Sequence, residues 1–190
     1  MAGIASSAVI CEIIKEDGTM ARRDDLEVFG KEHDLKTVYI SDIVEYRLAN
    51  EMLVRAIDEE EIEFFGVKAK KTIFIDHEEI EHTAISFYTQ GETANVKVHN
   101  VISDIDLLLN QQKYTHLIDS INYLKQNSGV LIFINNPDTH APMKEFGIGA
   151  QIIKALGIKH MRLITSSKSP EFVGLSGFGL EVAEVINVEA

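Results

Sequence analysis

One stretch of twenty residues, 146–165 (FGIGAQIIKALGIKHMRLIT), constrains the fold more than any other. Gly147 and Gly149 predict an opening turn. Ile148, Ile152, Ile153 and Leu156 then recur at the three-to-four spacing of a helix with one apolar stripe turned to a core. Gly157 stands where helices commonly stop, because glycine tolerates the left-handed backbone that reverses the chain. Residues 161–165 (MRLIT) read as a short buried strand. Helix, glycine stop and strand make half of an α/β unit, and the rest of the chain has to supply the sheet it packs on.

Upstream, residues 8–14 (AVICEII) predict a buried strand in which Cys11 serves as a small apolar residue. A turn at 16–19, a helix over 26–33 capped by Asp24 and Asp25, and a strand over 36–40 follow. Ser41 and Asp42 start a further helix with Ile43, Val44, Tyr46, Leu48 and Met52 on its apolar side. The character changes over 50–71, where the run Asp58, Glu59, Glu60 and Glu61 predicts a solvated face or a helix extension. Alternation over 72–75, 83–88 and 95–99 predicts three strands in an antiparallel meander. Residues 114–126 predict an amphipathic helix with Leu117, Ile118, Ile121 and Leu124 inward. Residues 129–134 (GVLIFI) read as a strand buried on both faces, followed by a proline-containing loop to Lys144. A glycine-rich segment over 172–179 leads to a last strand over 180–188.

Charge and composition exclude several classes. Eighteen basic against thirty acidic residues give a net charge of −12, which excludes a phosphate-backbone footprint and with it nucleic acid as a partner. No run of eighteen apolar residues and no basic segment before the amino-terminal apolar run occur, so neither a membrane span nor a secretory signal is predicted, and the expectation is a cytoplasmic protein. A single cysteine excludes an intrachain disulfide and a multi-cysteine zinc site.

Two family resemblances lie on this pattern. Residues 10–22 (ICEIIKEDGTMAR), Asp25-Leu26, Lys31-Glu32-His33 and 42–47 (DIVEYR) resemble the last quarter of 3,4-dihydroxy-2-butanone 4-phosphate synthase. Residues 81–85 (EHTAI), 96–99 (VKVH), 146–157, 162–165 (RLIT) and 174–182 (GLSGFGLEV) resemble GTP cyclohydrolase II. The order is that of the fused bifunctional protein of riboflavin synthesis. The resemblance implies a synthase tail at 1–49, preceded by a half that this chain lacks, whether removed by design or by evolution. A connector at 50–70 and a cyclohydrolase II-like domain at 71–190 follow, the latter an α/β (α+β) mixed sheet with flanking helices. Glu12 takes the place of the synthase glutamate that contacts sugar phosphate near the catalytic magnesium; that magnesium belongs to the missing half, and a structural role is expected of Glu12 here.

The cyclohydrolase resemblance also implies losses. Its three zinc thiolates would fall on Ile102, Lys113 and Thr115, so no zinc is expected; Asp104, Asp106 and His116 lie nearby without a ligand spacing. Its arginine-bearing loop is replaced by 135–140 (NNPDTH), its aspartate and arginine before the helix by Pro142 and Lys144, and its phosphate-facing segment by 165–170 (TSSKSP). The remnants of substrate binding are Glu12, Lys144, Thr165 and Lys168, with no catalytic residue. The seven histidines are read as structural. The expected function is a non-catalytic domain serving oligomerisation, as a homodimer, or regulation. The parent protein would retain synthase activity. The alternative is a divergent GTP cyclohydrolase II or GTP-binding domain that holds phosphate with Lys144, Thr165 and Lys168, and a metal at Asp104 or Asp106.

Overall fold

Two compact units divide the chain, Met1–Ile43 and Val44–Ala190. The computed structural model describes residues 7, 9–88, 93–135, 142–166 and 178–188, with the side chains of 41, 44, 45, 48, 49 and 142–146 outside that description.

In the first unit, helix α1 (Arg23–Glu32) starts where Asp25 Oδ2 accepts the Arg22 N–H at 2.9 Å. Asp24 and Asp25 in its first turn suit the positive end of the helix dipole. The Arg23 guanidinium lies 4.3 Å from the centre of the Tyr39 ring, and the Tyr39 hydroxyl donates to Glu27 at 2.6 Å. The two strands expected in this unit do not form. Over 9–14 the chain makes one antiparallel bridge, Ile14 to Met20, and Val9 and Ile10 stand 98% and 93% exposed. Cys11 is exposed, not buried. Residues 36–39 carry no ladder, and Ile40 already opens helix α2 (Ile40–Asn50), which runs across the division between the units. A strand is stabilised by its neighbours, and among the described residues the first segment has only the single bridge to Met20 and the second has no ladder partner.

The second unit is built on a seven-stranded sheet. Its strands are β1 (Val54–Phe64), β2 (Val67–Asp76), β3 (Glu81–Phe87), β4 (Thr93–Asn100), β5 (Gly129–Ile134), β6 (His160–Ile164) and β7 (Glu181–Ile186), in the order β1-β2-β3-β5-β4-β6-β7. The segment read as a connector is therefore β1 and the start of β2. Phe65 (φ 49°) and Gly66 (φ 77°) both take left-handed backbone, as a two-residue hairpin with the right twist requires. The acidic run lies on this strand rather than a helix, exposed as expected, with Glu59 and Glu60 paired to Lys70 and Lys71 at 2.6 and 2.8 Å.

Of the expected three-strand meander only the β2–β3 pairing forms, and β1, read as a connector, extends it on the other side. β5 inserts between β3 and β4, antiparallel to one and parallel to the other, and β4, β6 and β7 continue in parallel. Alternation alone cannot show this, because β4 has the same period whichever neighbour it takes. The continuous apolar run of β5 fits its central place: Val130, Ile132 and Ile134 enter one core, Leu131 the other.

Short helix α3 (Asp104–Leu109), helix α4 (Gln111–Asn127) and helix α5 (Pro142–Ala155) complete the unit. Leu117, Ile121 and Leu124 of α4 are buried in the core that holds Leu131, as the spacing predicts. Ile148, Ile152 and Ile153 of α5 belong to the opposite core with Phe74, Val96 and Ile132. Gly147 and Gly149 sit inside α5, not in a turn before it, and are buried. A Cβ at Gly149 would meet Val98 Cγ1 at 3.7 Å, an ordinary van der Waals contact, so α5 packs on β4 here without requiring a glycine. Gly157 does end the turn after α5, with φ 79°. Gln151, 1% exposed, joins α5 to the chain entering β1: its Oε1 accepts the Leu53 N–H at 2.6 Å, and its Nε2 donates to the Glu51 carbonyl at 2.8 Å.

Candidate functional site

The two sheet faces are unequal in chemistry. Along β4, Ala94, Val96 and Val98 turn to the α5 side, so Asn95, Lys97 and His99 turn to the α4 side. Asn95 is used structurally: its Nδ2 donates to the carbonyls of Asn127 and Ser128 at 3.0 and 2.9 Å, fixing the end of α4. Lys97 is only 8% exposed, and among the described residues no carboxylate or acceptor pairs with it. Burial alone pushes its ammonium down to about 8, since a charge in this setting loses its hydration without a compensating anion. His99 is held below the usual imidazole range by burial first, and then by the charges of Lys97, Lys113 and His116. Its ring stands edge-on to Phe133 at 5.6 Å.

These four groups come from β4 and the first turns of α4. Beside them an open cavity of about 580 Å³ is lined by Gln111, Gln112, Thr115, His116, Asp119, Ser166 and Val188. The structure thus brings Thr115 and Ser166, far apart along the chain, to one depression. Thr165 lies next to it after β6, half-buried, its N–H donating to the Ile186 carbonyl at 3.1 Å. Lys168, the Lys144 side chain and the segment 136–140 lie outside the described residues.

A thiolate-held zinc does not fit here. Ile102, Lys113 and Thr115 supply no thiolate, and Lys113 would set a cation against the metal. Among the described residues no group of three or more His, Cys, Asp or Glu side chains converges to hold a metal ion, Asp104, Asp106 and His116 included. A magnesium ion likewise finds no cage around Glu12, which is an exposed carboxylate in the first unit, away from any such cluster among the described residues.

A second polar cluster was not legible in the sequence. Asp76 of β2 and His82 of β3 are buried together, His82 Nε2 lying 3.4 Å from Asp76 Oδ2. The Asn135 N–H donates to His82 Nδ1 at 3.2 Å, which assigns the ring proton to Nε2, facing the carboxylate. Burial would raise the Asp76 carboxyl, but the N–H groups of Ile80 and Glu78, together with His82, outweigh it and hold it below the usual range. Asn135 is the first residue of the loop that stands where the cyclohydrolase resemblance puts a phosphate-binding arginine. Here it is tied down by the hairpin instead. Lys97 was likewise missed; its signal is the polar face N-x-K-x-H, which reads as solvated until α4 is known to cover it.

Comparison with known proteins finds two families, at the two ends of the chain. The family model for 3,4-dihydroxy-2-butanone 4-phosphate synthase matches residues 1–46, and that for GTP cyclohydrolase II matches residues 135–187, beyond positions 102, 113 and 115. A 3,4-dihydroxy-2-butanone 4-phosphate synthase of Wolinella succinogenes is 50% identical over 187 residues, 98% of this chain and 54% of the relative. The Riboflavin biosynthesis protein RibBA of Aquifex aeolicus is 29% identical over 226 residues, covering 100% of this chain and 55% of its own. The crystal structure of RibBX, a two domain 3,4-dihydroxy-2-butanone 4-phosphate synthase from A. baumannii, superposes with a TM-score of 0.69 at 31% identity, over 95% of this chain and 53% of that one. The chain spans about half the length of the curated relatives it matches.

Proposed function

We propose that this chain works as the carboxy-terminal half of a two-domain riboflavin-biosynthesis protein whose synthase domain makes 3,4-dihydroxy-2-butanone 4-phosphate, and that the Val44–Ala190 unit is a cyclohydrolase II-like domain without turnover. The similarity of residues 1–46 to the synthase model supports the first part. The observation that carries the second is the donor set at Ile102, Lys113 and Thr115, which leaves no Lewis acid to convert water into a nucleophile. The remaining work of the unit is then mechanical, as a scaffold for association or regulation. The longer protein that carries this chain is expected to form 3,4-dihydroxy-2-butanone 4-phosphate when supplied with magnesium, measured as product per protein over time. Absence of that product from a folded sample would overturn the synthase assignment.

One observation favours a second reading. Lys97 keeps a buried cation near His99, which in turn lies near His116 on the rim of the cavity that also holds Thr115 and Ser166. An unpaired buried charge is costly, and such groups concentrate where a ligand supplies the missing partner. On this reading the unit still holds an anion such as the phosphates of GTP, and senses the nucleotide without hydrolysing it.

A further inference from the structure

Lys97 combines burial, an apolar setting and nearness to an opening. Its neighbour across the ladder on β5 is Leu131. On the other side β6 leaves the ladder at Leu163, opposite Val96, so Ile164 is the next residue beside Lys97. Leu131 and Ile164 are both buried in the core that α4 closes with Ile121 and Leu124. The amine therefore stands among aliphatic side chains. The charged and titratable groups around it are His99 on β4 and Lys113, His116 and Asp119 on α4, while Arg162 on β6 is taken by Glu184 at 3.6 Å. Burial alone acts on the Lys97 ammonium, and no carboxylate among the described residues offsets it.

Two routes lead from this lysine to the cavity beside α4. His99 is two residues on, roughly 7 Å along β4, and lies near His116. Ser166 is two residues beyond Ile164. His116 and Ser166 both line the cavity. A lysine attacks carbon only once it has shed its proton, and an apolar setting without an anion favours that form. Lys97 titrates at about 8 against 10.5, so near neutral pH its share of free amine exceeds that of an exposed lysine by about two orders of magnitude. His99 is held neutral in the same range, and a neutral imidazole can take up and return a proton.

We propose that Lys97 is a carbonyl-capturing lysine, which forms an imine with a short hydroxylated aldehyde or ketone admitted through the cavity beside α4. The amine supplies the reaction and the rim supplies the preference. Thr115 and Ser166 offer hydroxyls and Gln112 an amide, so a hydroxyl on the carbonyl compound finds partners where the apolar wall ends. Nζ adds to the carbonyl carbon, and the displaced π pair goes to oxygen. That oxygen then leaves as water with both amine protons, which gives a C=N bond with no change in oxidation state. The capture needs neither metal nor nucleotide and goes beyond both functional readings above.

Reductive trapping on the full 190-residue chain tests this. The folded protein is incubated with glycolaldehyde and cyanoborohydride near neutral pH, digested, and mapped by mass spectrometry. Lys97 is expected to gain a hydroxyethyl group at least tenfold faster than the exposed Lys113, with the ratio shrinking as pH rises towards 10.5, where exposed lysines also lose their protons. In urea the advantage should vanish, because the fold creates it. Lys97→Met should remove the fast modification and leave that of Lys113 unchanged. Labelling of Lys97 no faster than that of Lys113 in the folded chain would overturn the proposal, as would an advantage that persists in urea. Propanal, which lacks the hydroxyl, is expected to give a smaller ratio of Lys97 to Lys113 labelling; equal ratios for the two aldehydes would overturn the hydroxylated class.

Discussion

Gly129→Ala is expected to abolish cooperative folding of the Val44–Ala190 unit. Gly129 opens β5 at φ 139°, a conformation that side chains rarely adopt. A Cβ there would collide with the carbonyl oxygen of Asn95, and would fall 2.5 Å from Leu124 Cδ2 and 2.8 Å from Asn95 Cβ. Leucine can rotate; the backbone of β4 cannot, because it is hydrogen-bonded to β5 and β6 on both sides. Backbone strain and overpacking together make a loss of about 4 kcal/mol or more, a large part of the ~5–15 kcal/mol that holds a domain of this size. The junction also seats α4 over Lys97 and His99, so the same change removes the cavity. A thermal melt followed by circular dichroism checks it, and a transition within a few degrees of the unaltered protein would contradict this account of the α4–β5 turn.

Lys97→Met is expected to act in the opposite direction. The side chains have similar length, so the core is filled as before without the charge. In the folded protein Lys97 titrates at about 8, against 10.5 when unperturbed. The unfolded chain therefore binds the proton more tightly. Stability should rise as pH increases from about 8 to 10.5, while below about 8 the full cost of the buried charge remains. At ~1.4 kcal/mol for each unit, the cost is of order 3 kcal/mol. The methionine variant should be more stable by about 2–3 kcal/mol at pH 7 in urea titration, and should lose this pH dependence. An unchanged midpoint would mean that the ammonium already has a partner. The same variant separates the two functional readings: if GTP binds the unaltered protein calorimetrically and not the variant, Lys97 is the anion ligand.

The reach of sequence reading can be followed element by element. The apolar periods of α4 and α5, the continuous run of β5 and the stop at Gly157 were legible because each is enforced locally, by side-chain spacing or by backbone φ. Strand order was not, since β5 between β3 and β4 is set by long-range pairing that leaves no mark on either strand's alternation. The segment 9–14 misled for the reverse reason: its residues favour a strand, but among the described residues it finds only one bridge, Ile14 to Met20, and no ladder. Of the candidate site, the absence of thiolates at Ile102, Lys113 and Thr115 could be read in the sequence. The groups now present there, Lys97 with His99 and His116, required the fold, because their meeting depends on α4 crossing a particular face of β4. Buried Asp76 and His82 lie on separate strands and meet only through the β2–β3 hairpin.

Zinc content and GTP turnover of the purified chain, measured together after incubation with excess zinc and removal of the free metal, test the central claim most directly. The account predicts zinc well below one ion per chain and no formate released from GTP above the protein-free control. One zinc per chain together with formate release that a chelator abolishes would contradict it.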